Sequence, residues 1–116
     1  MTPDNKATLL KANALVTEGN NEGFLSFCTD DVVWEFVGEQ TLRGKEAVRE
    51  YMKATYTQPP QFHVETLIAE GNYVSAIGQI SLKDESGKFV EYAYCDVWQF
   101  RDGLMSGLKA FVVEVE

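Results

Sequence analysis

The sequence predicts an α+β fold in which helices cover one face of a single sheet. Helical spacing of apolar residues is confined to the first half of the chain, whereas the second half is a series of long strands. The strands are separated by turns of a few residues, which makes them antiparallel neighbours. The order α-α-β-α-β-β-β-β is that of a sheet with its helices gathered on one side.

Pro3 suits a first helical turn, and Leu9, Leu10, Ala12, Asn13, Ala14 and Val16 give an apolar stripe to about Glu18. Gly19 stops this helix, and Asn21 is placed to cap a short second one through Phe24, Leu25, Phe27 and Cys28. Thr29-Asp30-Asp31 is a turn into the first strand, Val32–Val37, rich in β-branched and aromatic residues. Gly44 precedes a third helix with Ala47, Val48, Tyr51, Met52 and Thr55 on one face, ended by Pro59-Pro60. Four strands follow, Phe62–Ala69, Tyr73–Leu82, Phe89–Phe100 and Leu104–Val115. No linker or repeat divides the chain, so residues 1–116 are expected to form one domain.

The net charge of −8 repels phosphate backbones, which argues against nucleic acid and against anionic membranes. No apolar run approaches the roughly 20 residues of a membrane-spanning helix. The first residues lack the basic start and apolar run of a signal peptide, so a cytoplasmic location is expected. Cys28 and Cys95 match no metal motif and are expected to be reduced core thiols. One histidine and scattered carboxylates offer no metal-ligand set, and no phosphate-binding glycine loop is present, so neither metal nor cofactor is expected.

In Tyr73–Leu82 one parity reads Val74, Ala76, Gly78, Ile80 and Leu82, wholly apolar, and the other still contains Tyr73 and Ile77. If helices cover one face, a second subunit is the simplest cover for the other, and a homodimer is expected.

Several segments together resemble a known family. They are Glu18-Gly19-Asn20 before Phe24, Thr29-Asp30-Asp31-Val32 leading into Trp34-Glu35-Phe36, and Arg43-Gly44-Lys45-Glu46-Ala47-Val48-Arg49 opening a helix. To these are added Ile68-Ala69-Glu70-Gly71-Asn72 and Phe100-Arg101-Asp102-Gly103, followed by Leu108-Lys109-Ala110-Phe111. This series resembles the SnoaL-like branch of the nuclear transport factor 2-like superfamily. The resemblance implies a cone formed by one curved sheet, three helices closing a pocket inside it, and a dimer. It does not imply one reaction, because the fold hosts isomerases, cyclases, epoxide hydrolases, transport factors and non-catalytic subunits.

The sharpest candidate for chemistry is Asp96, mid-strand and on one face with Tyr92, Tyr94, Trp98 and Phe100. A carboxylate on so aromatic a face is costly unless paired or protonated, and desolvation raises its pKa. A neutral acid there donates a hydrogen bond to a ligand oxygen. Asp96-Val97-Trp98-Gln99-Phe100 is similar to the ketosteroid isomerase strand whose Asp helps form the oxyanion hole. The second donor of that enzyme, a Tyr, would fall near Ala12, and its general base, an Asp, at Phe36. Without a base, proton abstraction beside a carbonyl has no agent, so steroid isomerase activity is not expected.

Trp34 and Phe36 share a face that the resemblance turns inward, as aromatic walls of a ligand site. Tyr94 and Trp98 flank Asp96, Leu108 and Ala110 on the last strand should face inward, and Tyr51 is placed to close the mouth. Gln79 is expected to add polarity to the pocket, and His63, the single histidine, is a second candidate for acid–base work at the rim. The leading expectation is a pocket binding a small, largely apolar, oxygen-bearing molecule. The alternatives are a cofactor-independent isomerase, cyclase or lyase using Asp96 as acid, and a non-catalytic dimeric module.

Overall fold

The computed structural model describes residues 4–56 and 61–115, apart from the Phe62 side chain. Pro3 and Pro59-Pro60 lie outside the described residues. Helix α1 (Asn5–Thr17) starts at Asp4, whose carboxylate accepts from the Ala7 N–H at 3.1 Å, one of the end donors a helix leaves unpaired. It buries Leu9, Ala12 and Val16, a spacing of three and four that lines one face, while Leu10 stays exposed. Gly19, at φ 85°, takes the left-handed conformation that ends the helix. Helix α2 (Asn21–Leu25) is capped by Asn20, one residue before the expected Asn21, with Oδ1 accepting from Gly23 N–H at 2.8 Å.

Strand β1 (Cys28–Phe36) begins four residues earlier than its β-branched run announces. A short strand β2 (Gln40–Arg43), not expected from the sequence, folds back antiparallel on it. Helix α3 (Lys45–Thr55) buries Val48 and Met52, one turn apart. Strands β3 (Gln61–Glu70), β4 (Tyr73–Lys83), β5 (Phe89–Arg101) and β6 (Leu104–Glu114) are successive antiparallel neighbours, as their short turns require. The sheet closes by pairing β1 parallel to β6, giving the order β2-β1-β6-β5-β4-β3. This is the expected α+β fold of the nuclear transport factor 2-like cone, with six strands instead of five.

All three helices gather on one side of the sheet: α1 lies on β3 and β4, α3 on β1 and β2, and α2 between α1 and α3. Register shifts between Val64 and Thr66 in β3, Cys28 and Val33 in β1, and Gln99 and Phe100 in β5 let the sheet bend around them. Ion pairs fasten the outside: Arg49 holds Glu22 at 2.8 Å and joins α3 to α2, and Arg101 reaches Asp31 at 2.7 Å.

Among the described residues, the other side of the sheet carries no helix. Ile68, Tyr73, Ile77, Phe111 and Val113 are exposed there, with Cys95 and Val97 partly covered between them. Among the described residues, no helix is long and apolar enough to cross a membrane.

Candidate functional site

The concave side of the sheet is a series of rungs running across the strands. One rung is Phe36, Ala110, Asp96 and Ala76, in register on β1, β6, β5 and β4. The next towards the start of β4 is Trp34, Leu108, Trp98 and Val74. On the other side of Asp96 stand Val112, Tyr94 and Gly78. The Asp96 rung thus has alanine on both sides, and small side chains there leave room above the sheet. A cavity of about 340 Å³ occupies that room, within the size range of small-molecule sites.

The walls are rich in aromatic side chains. Trp34 stands edge-on to Phe24, Phe36, Tyr51 and Trp98, with ring centroids 5.8 to 6.2 Å apart. Tyr51 tilts over Phe36 at 5.0 Å and meets Tyr56 at 6.2 Å. The exposed residues Glu39, Lys83 and Asp84 also border the cavity.

Asp96 is the half-buried carboxylate of this wall, whereas Glu39 and Asp84 are exposed. Water reaches part of the residue through the cavity, but Oδ1 is sealed and has no hydrogen-bond partner. Burial among apolar neighbours pushes its carboxyl up to about 7. At neutral pH the group therefore populates both the acid and the carboxylate. The phenols around it behave differently: burial raises Tyr51 and Tyr56 and pushes Tyr94 up to about 12, so all three remain protonated and serve as donors. A second buried polar atom, Trp34 Nε1, also lacks a partner.

Eight of the ten expected site residues line this one cavity: Asp96 and its neighbours Tyr94 and Trp98, Trp34 and Phe36 from β1, Tyr51 from α3, and Leu108 and Ala110 from β6. Gln79 and His63 do not. They pair with each other across β4 and β3 on the outer face, both exposed. The cause is the two-residue period of a strand: Ala76 and Ile80 point inward, so Gln79 points out. Ser81, on the same parity, hydrogen-bonds Glu91 outside the cone.

Tyr56 and Tyr92 complete the lining and were not expected there. Tyr92 was legible, because it shares the parity of Asp96. Tyr56 was not, because it follows the last helical residue and its direction depends on how the chain leaves α3. Among the described residues, no three histidine, cysteine, aspartate or glutamate side chains come together as a metal site.

The fold is met in known proteins. Residues 10–107 match the model of the SnoaL-like domain. The chain belongs to the SnoaL-like family. Similar solved structures include SalBIII, an epoxide hydrolase/cyclase-like enzyme of pyran ring formation in polyether salinomycin. Its identity to this chain is 21%, with 93% of this chain and 89% of that one covered and a TM-score of 0.86. Δ5-3-ketosteroid isomerase from Mycobacterium sp. is 16% identical over 98% of this chain and all of that one, with a TM-score of 0.83. TerC, co-crystallised with polyporic acid, is 19% identical over 92% and 89%, with a TM-score of 0.79. At these identities the likeness shows the fold alone. No curated protein matches the chain. In this SnoaL-like protein, Ala12 is a buried core residue of α1 and Phe36 lines the cavity, so neither position offers an isomerase group.

Proposed function

We propose that this SnoaL-like protein binds a small, largely apolar ligand within the cone, with an oxygen function of the ligand held at Asp96. The observation that carries this is the combination of a cavity of about 340 Å³, walled largely by aromatic side chains, with the half-buried carboxylic acid of Asp96 in its lining. Apolar walls supply affinity through buried area, and a few polar groups fix orientation.

Both tryptophans of the chain, Trp34 and Trp98, line the cavity, so tryptophan fluorescence excited at the red edge, where tyrosine does not absorb, reports on this site. Titration with 2-naphthol is expected to change that fluorescence saturably. Ala110→Leu extends a branched side chain over the Asp96 rung and is expected to weaken binding at least tenfold while keeping the melting temperature within a few degrees. Saturable binding that Ala110→Leu leaves intact would place the ligand elsewhere.

A second reading is an isomerase, cyclase or lyase that works without cofactor and uses Asp96 as its acid. One observation favours it: a carboxyl near 7 is matched to proton transfer at neutral pH. The binding reading stands ahead of it because the phenols that share the cavity are held protonated and supply no base.

The uncovered outer face supports a homodimer. Five strands at about 4.8 Å spacing, each about 30 Å long, make a face of roughly 700 Å², close to the ~800 Å² per partner of a standard interface. Apolar side chains fill its centre, and Glu35, Lys109 and Glu91 stand towards its ends, an arrangement that suits a second copy of the same chain. Light scattering at micromolar concentration is expected to give twice the chain mass, and Phe111→Asp to give a folded monomer. A wild-type monomer would remove this reading.

A further inference from the structure

The cavity has a direction. Successive inward residues of β5, Trp98, Asp96, Tyr94 and Tyr92, all line it, and on β4 the lining runs from Ala76 through Ile80 to Leu82. One end is plugged. Phe24, Trp34 and Trp98 meet edge to face, each pair of ring centres 5.8 to 6.2 Å apart. Past that cluster, Phe100 and Met105 pair across β5 and β6, are buried in the core and take no part in the lining. The other end is a rim, where Glu39, Lys83 and Asp84 are exposed and Leu82 is half-buried.

From Ala76, opposite Asp96, to Leu82 strand β4 advances roughly 20 Å at about 3.4 Å per residue. Drawn out over that length, a volume of about 340 Å³ describes a passage and not a chamber. The molecule is itself drawn out, 47 Å long against 28 Å in each of the other directions. The lining stays apolar or aromatic on the way to the rim: Tyr94, then Ile80 and Tyr92, then Leu82. Each further methylene of a chain laid along it therefore leaves water. A compact ring frame seated at Asp96 leaves the Tyr92 and Leu82 rungs unfilled.

The geometry points to a linear, long-chain ligand, whose alkyl chain runs from the oxygen function at Asp96 out to Leu82 and whose far end meets water at the rim. An extended chain of about 15 carbons spans that distance. This rests on the reading of the cone as a ligand pocket and names the class of molecule that fills it. Leu82 acts as a specificity-determining residue, because only a long chain reaches it.

The test titrates the 1-alkanols from hexanol to tetradecanol, each below its solubility limit, by tryptophan fluorescence excited at the red edge. Affinity is expected to rise about fourfold with each added methylene, the effect of burying one, up to about 12 carbons or more. Leu82→Gln should weaken dodecanol and tetradecanol at least fivefold and leave hexanol within twofold, because the shorter chain ends before that rung. Affinity that levels off at eight carbons, or a Leu82→Gln variant that weakens hexanol as much as dodecanol, overturns the linear ligand. Saturable binding of 2-naphthol alongside such a result leaves the cone a pocket for compact molecules. Failure of the alkanols and 2-naphthol alike removes the pocket reading and this inference with it. The chain-length series is measured on the wild-type protein, so its outcome does not depend on how well the variant folds.

Discussion

Asp96→Asn is expected to be more stable than the wild type at pH 8 and equally stable near pH 4. Burial sets the Asp96 carboxyl at about 7 in the folded chain, against an ordinary value of 3.8. Between those two values the folded protein holds a proton that the unfolded chain has released. Stability therefore falls as pH rises through this window, and the loss is complete above about pH 7. At 1.36 kcal/mol per pH unit, the burden at pH 8 reaches up to about 4 kcal/mol. Asparagine has nearly the same shape and no charge to desolvate. Every other carboxylate is common to both proteins, so the difference between their unfolding free energies isolates Asp96. Urea denaturation of both at several pH values from 4 to 8 measures it. A difference that does not change with pH would mean that Asp96 is ionised and solvated in the folded state, and its role as a neutral donor would go with it.

The same substitution has a signature in binding. A ligand oxygen that accepts from the protonated carboxyl is held by one protonation state alone. Wild-type affinity should then be flat below pH 6 and fall about tenfold per unit above 7, by the same linkage. The asparagine variant still presents an N–H donor but has no proton to lose, so its affinity should be independent of pH. The pair of profiles separates a group kept acidic for a ligand from one that is buried only for packing.

Asp96 was legible in the sequence because strand parity needs no tertiary information: Tyr92, Tyr94, Trp98 and Phe100 mark its face as the buried one. The same rule places Gln79, and the expectation failed there for a different reason. Polarity for the pocket was sought on the polar parity of β4, whereas the inward face is the apolar one, with Ala76, Gly78 and Ile80. His63 shares the fate of its register partner. The early start of β1 was hidden because Cys28 is a strand residue through its pairing with Met105, far along the chain, and Phe27 and Cys28 read locally as the end of a helix. Strand β2 has four residues, none fully buried, so it leaves no hydrophobic period to read. The bulge in β3 was equally silent, since a register shift is a relation between two strands.

That bulge underlies the second large effect: Gly78→Ala is expected to destabilise the fold by about 2–4 kcal/mol, at or above the usual range for overpacking a close-packed site. Gly78 lies mid-strand on the inner face, without the positive φ that calls for glycine in turns. What excludes a side chain is space. A Cβ there would lie 2.1 Å from the carbonyl oxygen of His63 and 2.9 Å from the Tyr94 hydroxyl. The Tyr94 hydroxyl can swing aside. The His63 oxygen belongs to the backbone of β3 just before the shift between Val64 and Thr66, and it moves only if the β3–β4 ladder opens. Gly107 on β6 is the control, because a Cβ there meets nothing closer than 3.6 Å. Gly107→Ala should stay within about 1 kcal/mol of the wild type and gain a little, as alanine generally does over glycine within a strand. Wild-type stability in Gly78→Ala would show that β3 is free to move off β4. The loss expected here has a consequence for the site as well. Tyr94 rests its hydroxyl against the bare backbone of Gly78, which keeps the ring along the wall and the space above Asp96 open. An alanine that pushes Tyr94 away from β4 drives the ring into the cavity, so ligand binding should fail in this variant even at temperatures where the chain remains folded.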